Sequence, residues 1–87
     1  MINYDTAFKM AENYFKKLHM IIVMVSETES FWIFDGHDPK YIGSTMYGGP
    51  GPLSIDKSTG EMKELVLPNK ENFKILRESV LVWKLKK

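Results

Sequence analysis

The spacing of apolar residues changes abruptly near His19, and this change constrains the fold more than any other feature of the chain. From Asp5 to Leu18 the apolar residues recur at steps of three and four, which is typical of an amphipathic helix. Asn3 or Asp5 can supply the N-cap oxygen of this helix. Met20 to Val25 then forms a short, largely β-branched run, which predicts a buried strand. We therefore expect a helix followed by a sheet.

A β-hairpin is predicted directly after this first strand. Phe31 to Phe34 reads as the returning strand, and the segment Asp35 to Pro39 closes it with Gly and Pro as turn residues. Tyr41 to Met46 is a weaker third strand, interrupted by Gly43. The segment 47–52 contains three Gly and two Pro and must be a loop.

A second hairpin is predicted between Leu53 and Val66. Leu53 to Asp56 and Glu61 to Val66 flank a short polar connection that ends in Gly60, which is a hairpin signal. We expect the Asp56 carboxylate to accept local backbone amides in this turn.

The C-terminal part begins with a helical pattern that Pro68 and Asn69 open and that Phe73 and Leu76 continue. Residues 80–85 fit either a continuation of this helix or a final strand, and periodicity does not decide between them. The predicted fold class is α+β, with an N-terminal helix packed on an antiparallel sheet of about four to five strands and a short C-terminal helix. Residues 1–87 are expected to form a single domain.

Composition excludes several classes of function. The formal charge of +1 argues against nucleic acid as a partner, since nucleic-acid binders carry a basic excess. The longest apolar run, Met20 to Val25, is far shorter than the roughly 20 residues of a membrane span. The absence of cysteine removes disulfides and thiolate chemistry. No membrane association is expected, and we interpret the chain as cytoplasmic.

The sequence offers little for catalysis or for cofactor binding. His19 and His37 are the only imidazoles, and their spacing fits no metal motif. No serine lies in a nucleophile elbow. We therefore predict no cofactor, no metal and no enzymatic activity. A site assembled in space around Asp35, His37 and Tyr41 remains the enzymatic alternative.

A locally acidic segment is the most interesting constellation. Residues 27–38 contain four acids and no Lys or Arg, beside several aromatic rings. Acids next to aromatics suit a basic protein partner, because complementary charge speeds encounter and buried rings supply binding energy. The predicted partner-binding residues are Glu27, Glu29, Trp32, Phe34, Asp35, Asp38, Tyr41 and Tyr47. The alternative is that the two Glu are a solvated turn and that the rings are core.

The order of these features resembles the immunity protein 35 family of YrhB-like small bacterial proteins. The resemblance lies in Tyr4-x-x-Ala7-Phe8-x-x-Ala11, Trp32-x-Phe34 with Tyr41, Pro52-x-x-Ile55-Asp56-Lys57-x-Thr59-Gly60-Glu61, and Pro68-x-x-Glu71-x-Phe73. The chain departs from the family pattern in a shorter stretch between Tyr41 and Pro52, and in the Gly-Gly-Pro-Gly-Pro loop.

This resemblance implies a bacterial immunity protein that binds and neutralises a cognate toxin domain, with a chaperone-like role suggested for some relatives. The alternative is a chaperone-like or self-associating structural domain, for which a homodimer is the expected form.

Overall fold

The computed structural model describes residues 1–39, 52–65 and 70–84. Its elements in chain order are the helix α1 (Tyr4–Lys16), the strands β1 (Ile21–Glu27), β2 (Phe31–His37), β3 (Leu53–Asp56) and β4 (Met62–Glu64), the helix α2 (Lys70–Glu78) and the strand β5 (Val80–Lys84). The predicted α+β class is confirmed. The predicted strand Tyr41–Met46, residues 47–51 of the predicted loop, and Pro68 and Asn69 lie outside the described residues.

The five strands form one antiparallel sheet in the order β4-β3-β2-β1-β5. Both predicted hairpins are present, as β1 with β2 and as β3 with β4. The chain after α2 is a strand, because Ser79 ends the helix by bonding back to the Leu76 carbonyl and β1 offers its other edge to pair with. Among the described strands, β5 and β4 are therefore the two edges of the sheet.

α1 packs on one face of the sheet through its apolar stripe. Ala7, Ala11 and Phe15 are buried against residues of β1, β2 and β3. The helix begins at the Asn3 cap, whose Oδ1 accepts the Thr6 amide at 2.9 Å, so Asn3 and not Asp5 supplies the N-cap oxygen.

The second face of the sheet is also covered at its centre. Trp32 and Phe34 pack against the α1 side, so Ile33 between them points the other way, and it has no exposed surface. Its two paired neighbours, Ser26 and Ser54, are buried as well. The connection from β4 to β5 contains α2 and has to cross from one edge of the sheet to the other.

The turn between β3 and β4 has the predicted geometry. Asp56 Oδ1 accepts the amides of Ser58 at 2.7 Å and of Thr59 at 3.1 Å. Gly60 adopts a φ of 79°, a conformation that glycine tolerates best. In the part of the chain that the structure describes, no helix is long and apolar enough to cross a membrane.

Candidate functional site

The register of β1 and β2 separates the acidic residues of segment 27–38. Glu27 pairs with Trp32 at the turn end of the hairpin, whereas Ile21 pairs with His37 at the other end. At about 3.3 Å per residue these ends lie roughly 20 Å apart. Glu27 and Glu29 therefore share one end, while Asp35 and Asp38 lie towards the other. Tyr41 and Tyr47 lie outside the described residues.

The two predicted aromatic contacts, Trp32 and Phe34, are used inside the domain. Phe34 has no exposed surface, and its ring meets the ring of Phe8 on α1 edge-on. Trp32 is half-buried, meets the Tyr4 ring edge-on at 5.6 Å, and donates its indole N–H to the Ile2 carbonyl at 3.0 Å. The Lys57 ammonium lies 4.4 Å from the centroid of the Trp32 ring. These contacts fasten the N-terminal residues to the sheet.

Asp35 lies in a desolvated position on β2. Burial raises the pKa of its carboxyl above the ordinary value of 3.8, and the neighbouring His37 offsets part of this effect. Tyr41, the third member of the enzymatic alternative, is outside the described residues. Within residues 1–39, 52–65 and 70–84, no group of three or more His, Asp or Glu side chains could hold a metal ion.

Four consecutive exposed apolar side chains lie on β5, at the edge of the described sheet. The exposed fractions are 67% for Val80, 55% for Leu81, 42% for Val82 and 36% for Trp83. Val80 pairs with Glu27 and so lies on the α1 side, whereas Leu81 pairs with Ser26 and lies on the opposite side. Trp83 meets the ring of Phe8 edge-on at 6.1 Å, which places it on the α1 side as well. β5 therefore presents apolar side chains on both faces.

The other edge of the sheet is protected in the usual way. β4 has only three residues, and two of them are charged. Short length and charge are the devices by which natural sheets prevent edge-to-edge association. β5 has five residues and a single charge, Lys84, at its end. β5 therefore lacks the short length and the charges of β4, and its one irregularity is a register shift against β1 between Val25 and Ser26.

Carboxylates surround one end of this strand. Glu27, Glu29 and Glu78 line a shallow cleft of about 450 Å³ with Val80, Leu81 and Val82. Glu27 is partly neutralised by Lys57, whose Nζ lies 3.5 Å from Oε1. Among the described residues Glu29 and Glu78 form no salt bridge, so this end of β5 carries net negative charge.

The sequence placed Glu27 and Glu29 among the predicted partner-binding residues, did not include Glu78, and left residues 80–85 open between helix and strand. The available signal was the run Val80 to Trp83, which is β-branched and apolar and carries no charge. That this run is an edge follows only from the strand order. Comparison with known proteins gives no match, whether to a family model, a curated protein or a solved structure. The apolar side chains of β5 and the carboxylates beside them are therefore the basis for proposing a function for this chain.

Proposed function

We propose that this chain is a non-enzymatic protein-binding module, and that it acts in the bacterial cytoplasm as an immunity protein that neutralises a cognate toxin. The observation that supports protein binding is the exposure of apolar side chains on both faces of β5, a strand at the edge of the sheet. The resemblance of the first helix and of the hairpin Pro52 to Glu61 to immunity protein 35 supports the toxin part.

Strand addition is the mode of binding that this edge favours. A partner strand laid against β5 satisfies the outward N–H and C=O groups of the edge, while alternate side chains pack on the two faces. Leu81 offers the contact on one face and Trp83 on the other. Glu29 and Glu78 favour a partner with basic residues, because complementary charge accelerates encounter. Neutralisation then requires only that the partner's own site is covered.

The test first asks whether a toxin domain is encoded immediately upstream of this gene, and it uses that domain as the probe. Co-expression of this chain should protect the host, and the two purified proteins should form a complex at a 1:1 ratio. The toxin should keep its intact mass and recover its activity when the complex is dissociated, since occlusion breaks no bond. Neutralisation at substoichiometric amounts, or a changed toxin mass, would instead indicate an enzyme. Absence of both binding and protection would refute the proposal.

Variants on the two edges of the sheet make the test specific. Leu81→Lys puts a charge on the exposed apolar strand and should abolish protection. Met62→Lys puts the same charge on β4, where Met62 is similarly exposed, and should leave protection intact. Glu29→Lys should slow association and reduce its dependence on salt. A chaperone-like protein would differ, because it would also suppress aggregation of unrelated unfolded proteins.

A further inference from the structure

The exposed edge of β5 has ends of opposite charge. Lys84 is the last residue of the strand, and Glu78 precedes its first residue by two positions. Glu27 pairs with Val80 and therefore lies at the same end as Glu78. Glu29 follows in the adjacent turn and lines the same cleft. The edge thus runs from an acidic end to a basic end.

A second copy of this edge, running in the opposite direction, presents its basic end to the acidic end of the first copy. A two-fold axis perpendicular to the sheet places two β5 strands antiparallel. Lys84 of each copy then lies beside the acidic end of the other, near Glu29 and Glu78. Parallel pairing would bring like charges together. We propose that a second copy of this chain covers β5 in the free protein, and that the two β5 strands pair antiparallel to form one continuous sheet.

The side chains of β5 fit this arrangement. The perpendicular two-fold keeps each face of the sheet on its own side, so Val80 and Trp83 meet their counterparts on the α1 side. The exposed Leu81 does the same on the opposite face. Pairing therefore removes apolar surface from water on both faces and satisfies outward backbone groups of both strands on either side of Val82, where the register of β5 against β1 shifts. The contact of Trp83 with Phe8 holds the indole in place before association.

The dimer is a property of the protein alone and holds whether or not the chain neutralises a toxin. If the proposed function is also correct, toxin and second copy compete for the same edge. Failure of toxin neutralisation therefore leaves the dimer standing, and failure of dimerisation leaves β5 free for a different partner.

The test is sedimentation velocity of the full chain over about 1–200 µM, a range in which mass action shifts a moderate dimer equilibrium. The expected limit at high concentration is twice the monomer mass of 10.1 kDa. Val82→Lys should raise the dissociation constant at least about ten-fold, since it places two like charges at the interface. Met62→Lys is the matched control, because Met62 is 45% exposed on the other edge and Val82 is 42% exposed. This variant should dimerise like the unmodified protein.

A charge exchange tests the direction of pairing. Lys84→Glu should weaken the dimer by roughly five- to ten-fold, as expected for two exposed ion pairs. Adding Glu78→Lys in the same chain should restore affinity to within roughly two- to three-fold of the unmodified protein. A parallel dimer would show no such rescue. Far-UV circular dichroism shows which variants are folded, and the Lys84 series decides the matter if Val82→Lys does not fold.

Besides a failure of the charge exchange to restore affinity, three outcomes overturn the proposal. The first is a 10.1 kDa species at every concentration, which leaves the edge to a heterologous partner. The second is a dimer that Met62→Lys disrupts as strongly as Val82→Lys, which places the interface elsewhere. The third is a dimer that both Val82→Lys and Lys84→Glu leave unchanged.

Discussion

Replacing Gly36 by alanine is expected to destabilise the fold through one contact. Gly36 lies on β2, and the ring of Phe15 from α1 packs directly over its backbone. An added Cβ would lie 2.5 Å from Phe15 Cδ1, 2.6 Å from Cε1 and 2.9 Å from Cγ. Carbon atoms in ordinary contact are about 3.5–4.0 Å apart. The ring or the strand must therefore move by roughly 1 Å.

The size of the effect follows from two opposing terms. Overpacking of a filled core costs about 1–3 kcal/mol. Alanine in place of glycine returns about 0.4–1 kcal/mol by reducing the freedom of the unfolded chain. The net loss of unfolding free energy is then between about 0 and 2.6 kcal/mol, and each kcal/mol lowers Tm by roughly 4–8 °C in a domain of this size. Phe15 is fully buried, so its ring cannot swing into solvent to avoid the methyl group.

The assay is chemical unfolding of Gly36→Ala in the unmodified chain and in a Phe15→Leu background. The shorter side chain removes the clashing ring, so the alanine should cost at least about 0.5 kcal/mol less in that background. Gly60→Ala is the control. Gly60 has a φ of 79°, and its alanine should cost about 1–2 kcal/mol in both backgrounds, because the strain is in its own backbone. An equal cost of Gly36→Ala in the two backgrounds would refute the reasoning.

Two further predictions concern local stability. Asn3→Ala removes the cap on the Thr6 amide and should lower the free energy of unfolding by about 1 kcal/mol, measured by urea denaturation; no change would mean that water replaces the cap. Asp35→Asn should raise Tm at neutral pH. In the folded protein the pKa of Asp35 lies above its ordinary value of 3.8. The stability that the protonated carboxyl contributes is therefore fully present below pH 3.8 and is lost as the pH rises through the folded pKa. The advantage of the variant should therefore disappear in thermal scans below pH 3.8, and an advantage independent of pH would contradict this.

Local features of this fold followed from the sequence where one residue or one period decides the structure. The three- and four-residue spacing around Ala7 and Ala11 specified α1, since only a helix places those residues on one stripe. The Asp56 and Gly60 turn followed from residue chemistry that works within a few bonds. The β-branched run after His19 specified a strand for the same local reason.

The candidate site could not be predicted to the same extent, because it depends on register and strand order. Trp32 was expected to offer its ring to a partner, but Tyr4, Ile2 and Lys57 approach it from distant parts of the chain. The acids of segment 27–38 are close in sequence, yet an extended hairpin carries Glu27 and Asp38 towards opposite ends. Closeness in sequence becomes closeness in space within a helix or a turn, and not along a strand.

The sequence by itself determined α1, the strands β1 to β4, the turn at Asp56 to Gly60 and the near-neutral charge, because these depend on neighbours within a few residues. Only the tertiary structure decided that Val80 to Lys84 is a strand, that it lies beside β1 at an edge, and that Glu78 joins Glu27 and Glu29 at its acidic end. The physical reason is that an edge strand is one that has a paired strand on one side and none on the other. That property belongs to the whole sheet and to no segment of the chain.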